Sequence, residues 1–178
     1  MQIQLDMSDI KNVVIYTDGG CIGNPGPGGY GVVLLSQGRR KELSGGFRLT
    51  TNNRMELMGA IVGLEALTMP CEVTLYSDSK YVVDAMELGW AKRWQANGWR
   101  RNKKEKAVNP DLWQRLLEVC KKHEVRFQWV KGHAGNLENE RCDYLANSTA
   151  MQKNLPEDKG YVPERRAEDK EVQRLKFQ

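Results

Sequence analysis

The cysteines of this 178-residue chain are few and widely separated, and no two of them form a C-x-x-C pair. Without such pairs, neither a zinc cluster nor a disulfide framework is indicated. We therefore expect reduced thiols in a cytoplasmic protein, because disulfide bonds persist mainly in oxidising compartments. Cys71 and Cys120 are expected to be small residues of the core.

Long apolar segments are also missing. No run approaches the roughly 20 residues that a membrane-spanning helix needs, and residues 1–11 lack the basic-then-apolar pattern of a secretion signal. The chain is 40% hydrophobic and 28% charged, which is ordinary for a globular domain. Its length predicts one domain with a substantial core. We expect a monomer that contacts no membrane.

The positive charge is concentrated in one segment. From Trp90 to Lys106 there are seven basic residues and one acidic residue, a net charge of +6, whereas the whole chain carries +4. We call residues 89–107 the basic handle. A local basic patch of this kind favours a polyanionic partner.

The two ends of the chain differ from the middle. We predict a short leader over residues 1–11, one domain over residues 12–150, and a charged tail over residues 151–178. The tail has seven basic and six acidic residues with few apolar side chains. Because it has little to bury, we expect it to be flexible.

The hydrophobic patterns predict alternating strands and helices, hence an α/β fold. Three strands in succession are typical of an antiparallel meander, and the later strands are separated by helices. The predicted strands cover 13–17, 30–35, 42–49, 73–76 and 125–129, and the predicted helices cover 52–69, 79–88, 109–122 and 137–150.

Asp18 directly follows a run of β-branched residues and precedes a segment with six glycines and two prolines, residues 19–29. Alone, Asp18 could be a turn residue that hydrogen-bonds its own backbone. Alternatively, it could be a metal ligand at a strand end. Asp78 follows another short strand, where it could instead cap the next helix.

Two further acids lie on predicted helices. Glu56 is flanked at helical spacing by small or short polar residues, among them Gly59 and Gly63. Glycine within a helix costs about 1 kcal/mol relative to alanine, so we expect compensation by close approach to the sheet. Asp143 on the last helix could be a solvated surface residue. If the four acids converge, they require a cation, and oxygen ligands favour Mg²⁺ or Mn²⁺.

The motifs carrying these acids resemble bacterial ribonuclease HI. They are YTDGGC at 16–21, TTNNRMEL at 50–57, YSDS at 76–79, WVKGH at 129–133 and NERCD at 139–143. The resemblance is in register from about Val13 to Ala150. It implies a ribonuclease H-like fold, with a mixed five-stranded sheet of three antiparallel strands and then parallel strands, flanked by helices.

The resemblance also implies a function. The family cuts the RNA strand of RNA–DNA hybrids endonucleolytically, and its metal-binding acids correspond to Asp18, Glu56, Asp78 and Asp143. Two Mg²⁺ ions among such carboxylates can activate a water and stabilise the departing 3′-oxygen. We expect 5′-phosphate and 3′-hydroxyl products, with Mn²⁺ able to substitute. The histidine matching His133 assists proton transfer or product release in the family.

Contacts with the hybrid are expected at two places. Asn24, Thr51, Asn52 and Asn53 match family positions near the substrate. In the basic handle, cations can neutralise phosphates, while tryptophans can meet sugars or simply pack the helix. The expected contacts there are Lys92, Arg93, Trp94, Trp99, Arg100, Lys103 and Lys104. Lys80 departs from the bacterial pattern, which has glutamine at this position.

Two other functions are compatible with parts of the pattern. A protein that binds hybrids or double-stranded RNA without cutting them could keep the same fold, but losing one of the acids would be the simplest route to it. An integrase or resolvase could share the sheet. The basic handle and the Asn-rich helix start favour the ribonuclease.

Overall fold

The computed structural model describes residues 10–163. Most of the predicted leader and the part of the predicted tail from residue 164 onwards therefore lie outside the described residues. Within residues 10–163 no helix is both long and apolar enough to cross a lipid bilayer. None of the cysteines in this range forms a disulfide bond.

Five strands form one mixed sheet in the order β3-β2-β1-β4-β5. Strands β1, β2 and β3 are antiparallel, and β4 and β5 run parallel to β1. The predicted α/β fold and the arrangement of its sheet are confirmed. The strands are β1 (Lys11–Cys21), β2 (Gly26–Ser36), β3 (Arg39–Thr50), β4 (Cys71–Ser77) and β5 (Glu124–Trp129).

Five helices accompany the sheet within the described residues. The first ends at Glu65 with Ala66 as its C-cap, four residues earlier than the predicted helix, and Pro70 accounts only for Met69, the residue directly before it. The basic handle begins with a short helix of its own. The helices are α1 (Asn52–Glu65), α2 (Lys80–Glu87), α3 (Trp90–Ala96), α4 (Pro110–Cys120) and α5 (Leu137–Ala150).

Helix α1 lies unusually close to the sheet, as its glycines predict. A Cβ added at Gly59 would lie 3.3 Å from Thr17 Cβ, and one at Gly63 would lie 3.0 Å from a methyl group of Ile15. Burial of the surrounding apolar side chains compensates for the low helix propensity of glycine. The close approach holds Glu56 beside the end of β1.

The main hydrophobic core lies where α1 and α4 meet the sheet. Ile15, Leu75, Ile61, Leu64 and Leu116 are completely buried in it. Trp113 of α4 is also completely buried, and its indole N–H donates a hydrogen bond to the hydroxyl of Tyr81. The core thus fixes the strands and helices that carry the acids.

Residues 151–163, the first part of the predicted tail, pack against the domain. The amide of Arg48 in β3 donates a hydrogen bond to the carbonyl of Pro156. Asp158 is only 8% exposed and forms an ion pair with Arg54 of α1. Only Asp158 among residues 151–163 is buried, and most of the others are exposed, so the composition misses one charged residue that is buried with an oppositely charged partner.

Candidate active site

Three of the four predicted acids meet at one edge of the sheet. Asp18, Glu56 and Asp78 each have a carboxylate oxygen, and these oxygens lie within 4.8 Å of one another. Asp18 lies in β1, Glu56 in α1, and Asp78 directly after β4. The structure therefore brings together residues that are separated by up to 60 positions in the sequence.

The strand register explains why Asp18 and Asp78 meet. Thr17 and Ser77 form the last pair between the parallel strands β1 and β4. Asp18 and Asp78 each follow that pair by one residue, so both lie at the carboxyl edge of the parallel strands. Such edges are where open α/β sheets form their sites.

Gly19 permits Glu56 to approach the same place. A Cβ at Gly19 would overlap the backbone of Met55 and Glu56. Only glycine therefore allows β1 and α1 to approach this closely here. The amide of Gly19 also donates a hydrogen bond of 2.8 Å to Asp18 Oδ1, which orients that carboxylate.

The cluster is electrostatically strained without a cation. Burial, together with the charge of Asp78, raises the pKa of Asp18 to about 7. Burial and the charge of Asp18 raise the pKa of Glu56 well above its usual value. Within the described part of the chain, Glu56 Oε2 is buried and receives no hydrogen bond. A buried acceptor without a donor is costly, and a cation between these oxygens would remove the cost.

The donor set suits a hard divalent cation. All three side chains offer carboxylate oxygens, and neither a thiolate nor an imidazole belongs to the group. Oxygen-only sites suit Mg²⁺, Ca²⁺ or Mn²⁺, whereas zinc sites commonly include sulfur or nitrogen ligands. The residues present therefore fit a metal of the predicted kind.

Asp143 lies outside this group of three. It is a half-buried residue of α5, and its charge contributes to the raised pKa of Asp18 after the larger effects of burial and Asp78. It is thus near enough to act on the cluster electrostatically.

The loop after β5 contacts the cluster through Gly132. A Cβ at Gly132 would lie 2.6 Å from Asp78 Oδ2. His133 is the next residue, is exposed, and has a left-handed backbone with φ of 53°. The histidine that matches the family's proton-transfer residue therefore lies next to a residue that closely approaches the carboxylate of Asp78.

Asn139, within the NERCD motif, has a contact that the sequence pattern does not indicate. The residue is 2% exposed, and its Nδ2 lies 3.5 Å from Asp78 Oδ2 as a hydrogen-bond donor. The alternative role for Asp78 as a helix cap is wrong: the side chain of Ser79 caps α2 by accepting a hydrogen bond from the amide of Val82. Asp78 is thus available to the cluster.

The expected substrate-contacting asparagines join two segments beside the cluster. Asn24 Oδ1 accepts a hydrogen bond from the amide of Asn52, and Asn52 Oδ1 accepts one from the amide of Cys21. Asn24, Asn52 and Asn53 are exposed. Thr51 is buried, and its hydroxyl caps α1 by accepting a hydrogen bond from the amide of Arg54.

The basic handle presents its cations to solvent. It consists of α3 and a following loop, which the amide of Ala107 closes by donating a hydrogen bond to the carbonyl of Trp99. Trp94 packs edge-on against Trp113 at 5.6 Å and so anchors the handle to the core. The exposed basic residues are Lys92, Arg93, Arg100, Arg101, Lys103, Lys104 and Lys106.

Lys80 lies close to the cluster at the start of α2. Its ammonium group lies 4.9 Å from the centre of the Trp129 ring, in the range of a cation–π interaction. The indole N–H of Trp129 in turn donates a hydrogen bond to the carbonyl of Asp78. The lysine that replaces the expected glutamine is thus held beside the acidic edge.

The buried guanidinium of Arg54 is a second feature that the sequence pattern does not indicate. It is 2% exposed and donates hydrogen bonds to Asp111, Asp158 and Asn109. Asn109 occupies the position before α4, but its side chain does not cap that helix. Its amide oxygen accepts from Arg54 instead.

A mixed sheet with a close group of acids at its carboxyl edge, suited to a divalent cation, is typical of enzymes that use a metal ion to cleave or transfer phosphate esters. A family model described as RNase H matches residues 10–151. A protein named "Ribonuclease H" from Trichodesmium erythraeum is 64% identical over 149 residues, covering 84% of this chain and 95% of that protein. The chain belongs to the RNase H family.

Two further comparisons agree with that membership. "Ribonuclease HI" from Synechocystis sp. is 65% identical over 137 residues, covering 76% of this chain and 86% of that protein. The solved structure of LC11-RNase H1 in complex with RNA/DNA hybrid superposes with a TM-score of 0.60 at 26% identity, covering 78% of this chain and 96% of that chain. The predicted resemblance to bacterial ribonuclease HI is confirmed.

Proposed function

We propose that this ribonuclease H cleaves the RNA strand of RNA–DNA hybrids with Mg²⁺ held by Asp18, Glu56 and Asp78. The observation that supports this proposal most directly is the close group of three carboxylates, in which the buried oxygen Glu56 Oε2 receives no hydrogen bond within the described residues. Asp143 supplies further negative charge from α5. When bound, the metal supplies Lewis-acid activation of water and stabilisation of the leaving oxygen.

The residues of the chain have distinct tasks in this proposal. Gly19 and Asn139 orient Asp18 and Asp78 by hydrogen bonds. His133 carries a proton to or from the reacting groups, since an imidazole can exchange protons near neutral pH. The oxygen of the attacking water stays on the phosphorus, which becomes the 5′-phosphate. The 3′-oxygen of the other product takes up a proton and leaves as a 3′-hydroxyl.

We assign hybrid binding to two surfaces. The exposed side chains of Asn24, Asn52 and Asn53 lie next to the acids and offer amide groups that can bond to a 2′-hydroxyl. Thr51 supports them as the cap of α1. In the basic handle, Lys92, Arg93, Arg100, Lys103 and Lys104 bind phosphates. Trp94 and Trp99 are half-buried, so they chiefly support those cations.

We further place the enzyme in the cytoplasm as a monomer. The absence of disulfide bonds among the cysteines of residues 10–163 supports a reducing compartment. Sedimentation of the purified chain tests the monomer, and fractionation of the source cells tests the location.

The function is tested with an end-labelled hybrid. We expect internal cuts in the RNA strand with Mg²⁺ or Mn²⁺, and no cuts with EDTA. Single-stranded RNA, duplex RNA and duplex DNA are the matched substrates and should remain intact. Cleavage in EDTA would overturn the metal-dependent mechanism. Hybrid binding without any cleavage would instead favour the non-catalytic alternative.

A further inference from the structure

The segment after α5 places one carboxylate at the start of the helix that bears Glu56. Asp158 Oδ2 accepts hydrogen bonds of 2.7 Å from the Thr50 hydroxyl and from Nε of Arg54. Asp158 Oδ1 accepts a third, of 3.0 Å, from a terminal nitrogen of the same guanidinium. Asp158 thus holds the last residue of β3 and the third residue of α1.

The residues held in this way flank the proposed hybrid-contacting surface. Thr51, Asn52 and Asn53 lie between Thr50 and Arg54 in the sequence. Glu56 follows Arg54 by two residues on the same helix. A displacement of Arg54 would therefore move both the asparagines and one metal-binding carboxylate.

The same guanidinium also contacts the start of α4, which follows the basic handle in the sequence. Its terminal nitrogens donate to Asp111 Oδ1 and Oδ2 at 2.9 and 2.7 Å, and one of them donates to Asn109 Oδ1 at 3.2 Å. Asn109 and Asp111 lie at the start of α4, immediately after the handle. The guanidinium of Arg54 therefore donates hydrogen bonds to two carboxylates, that of Asp111 in α4 and that of Asp158 in the C-terminal segment.

This arrangement has little freedom to move. Arg54 is 2% exposed and Asp158 is 7% exposed in its side chain, so breaking either contact leaves a buried charge without its full complement of partners. A Cβ at Gly160 would also overlap Asp111 and lie 2.6 Å from a terminal nitrogen of Arg54. The backbone of the C-terminal segment thus packs directly against the ion pair between Arg54 and Asp111.

We propose that Asp158 is a positioning residue for hybrid cleavage: through Arg54 it fixes the spacing between the acidic cluster and the basic handle, so that one hybrid engages both. This inference rests on the proposed function of the two surfaces. It makes residues 151–163 a working part of the enzyme, although the matched family region ends at residue 151. The asparagine surface and the handle are coupled because Arg54 follows the asparagines on α1 and also bonds to Asn109, two residues after the end of the handle.

The test compares two hybrids with the full chain carrying Asp158→Asn. One hybrid is long enough to reach the handle from the acids, and the other is too short to do so. We expect the KM for the long hybrid to rise about tenfold, a coupling in the common range for residues of one hydrogen-bond network. For the short hybrid the rise should be much smaller. Assays run well below the melting temperature of each variant.

A double-mutant cycle distinguishes positioning from stability alone. Lys103→Glu with Lys104→Glu weakens the handle directly, so Asp158→Asn should change KM little in that background. If Asp158 only stabilised the fold, its variant would lower the melting temperature but leave the long-to-short KM ratio unchanged. An unchanged ratio would overturn the proposal.

Two additional variants keep the test decisive. Asp111→Asn removes the other carboxylate, which is 42% exposed and tolerates replacement better. Asp111→Asn should also raise the ratio of the KM for the long hybrid to the KM for the short hybrid. This measurement remains possible if the Asp158→Asn variant does not fold. Glu157→Gln, at an exposed ion pair with Arg48 of 3.7 Å, is the control and should leave the ratio unchanged. If the unaltered enzyme fails to cut hybrids at all, the proposed function fails rather than this inference.

Discussion

Gly132 contacts Asp78 so closely that a Cβ on the glycine would lie 2.6 Å from the Asp78 carboxylate. Because real Cβ atoms do not approach an oxygen to that distance, the loop or the carboxylate would have to shift. The residue before His133 therefore limits how the proposed proton carrier and a proposed metal ligand are arranged.

Replacement of Gly132 by alanine is expected to lower kcat by up to about 100-fold, since small misplacements of catalytic groups have effects of this size. Cleavage of labelled hybrid under saturating substrate measures this. Ala134→Ser, at an exposed residue of the same loop, is the control and should retain activity. Full activity of Gly132→Ala would show that the loop adapts without cost.

Asp18→Asn is expected to abolish cleavage. It should also abolish the increase in melting temperature that Mg²⁺ causes in the unaltered protein. Asp18 is 6% exposed and lies beside two other carboxylates, so removing its charge should raise the metal-free melting temperature. Thermal unfolding at neutral pH, with and without Mg²⁺, measures both effects. Glu124→Gln, an exposed residue of β5, removes the same charge elsewhere. If Asp18→Asn retained full cleavage, the assignment of the metal site would be refuted.

The basic handle should act mainly on substrate binding. Lys103→Glu with Lys104→Glu is expected to raise KM more than it lowers kcat, and to reduce the dependence of KM on salt, because fewer counterions are released on binding. Lys122→Glu with Lys153→Glu makes the same charge change at exposed residues outside the handle. An unchanged KM at moderate salt would remove the handle from the binding surface.

Acid stability should depend on Glu42, which joins β3 to α5. Hydrogen bonds from Arg141 are the main cause that lowers the pKa of Glu42 to about 2, from a usual value of 4.5. A lowered pKa in the folded state means that the stabilisation is present above pH 4.5 and is lost as the pH falls towards 2.

Glu42→Gln should therefore lower stability at neutral pH and flatten its decline between pH 4.5 and 2. The loss should be modest, because the arginines that pair with Glu42 are each 40% exposed and screened by solvent. Urea unfolding across this pH range measures the slope. Glu72→Gln, an exposed residue of β4, is the control. An unchanged slope in Glu42→Gln would show that this pair does not govern acid stability.

Much of the site could be predicted because its residues carry local signals. Asp18 and Asp78 follow short strands of β-branched and apolar residues, and Glu56 lies on a helix with glycines that require a close neighbour. These features follow from secondary-structure propensity and from the periodicity of apolar residues, both of which depend on residues close together in the chain. The boundary of α1 was less predictable, because helix ends depend on caps and on the residue before proline.

Other features depend on contacts between residues that are distant in the sequence. Asp158 is 104 residues from Arg54, and its segment has the composition of a solvated tail. No local pattern distinguishes a charged residue that will be buried with a partner from one that stays in water. Likewise, Asn109 has the sequence signature of a helix cap, yet its side chain bonds to Arg54.

The sequence by itself determined the order of the five strands and of four of the five helices described in residues 10–163, the family, and the acids with which a metal can be bound. Only the tertiary structure decided that Asp18, Glu56 and Asp78 form the close group while Asp143 stays outside it, and that Arg54 joins α1, α4 and the C-terminal segment. The physical reason is that strand register and buried ion pairs are fixed by packing in three dimensions. Secondary-structure propensity, in contrast, depends only on residues that are close to one another along the chain.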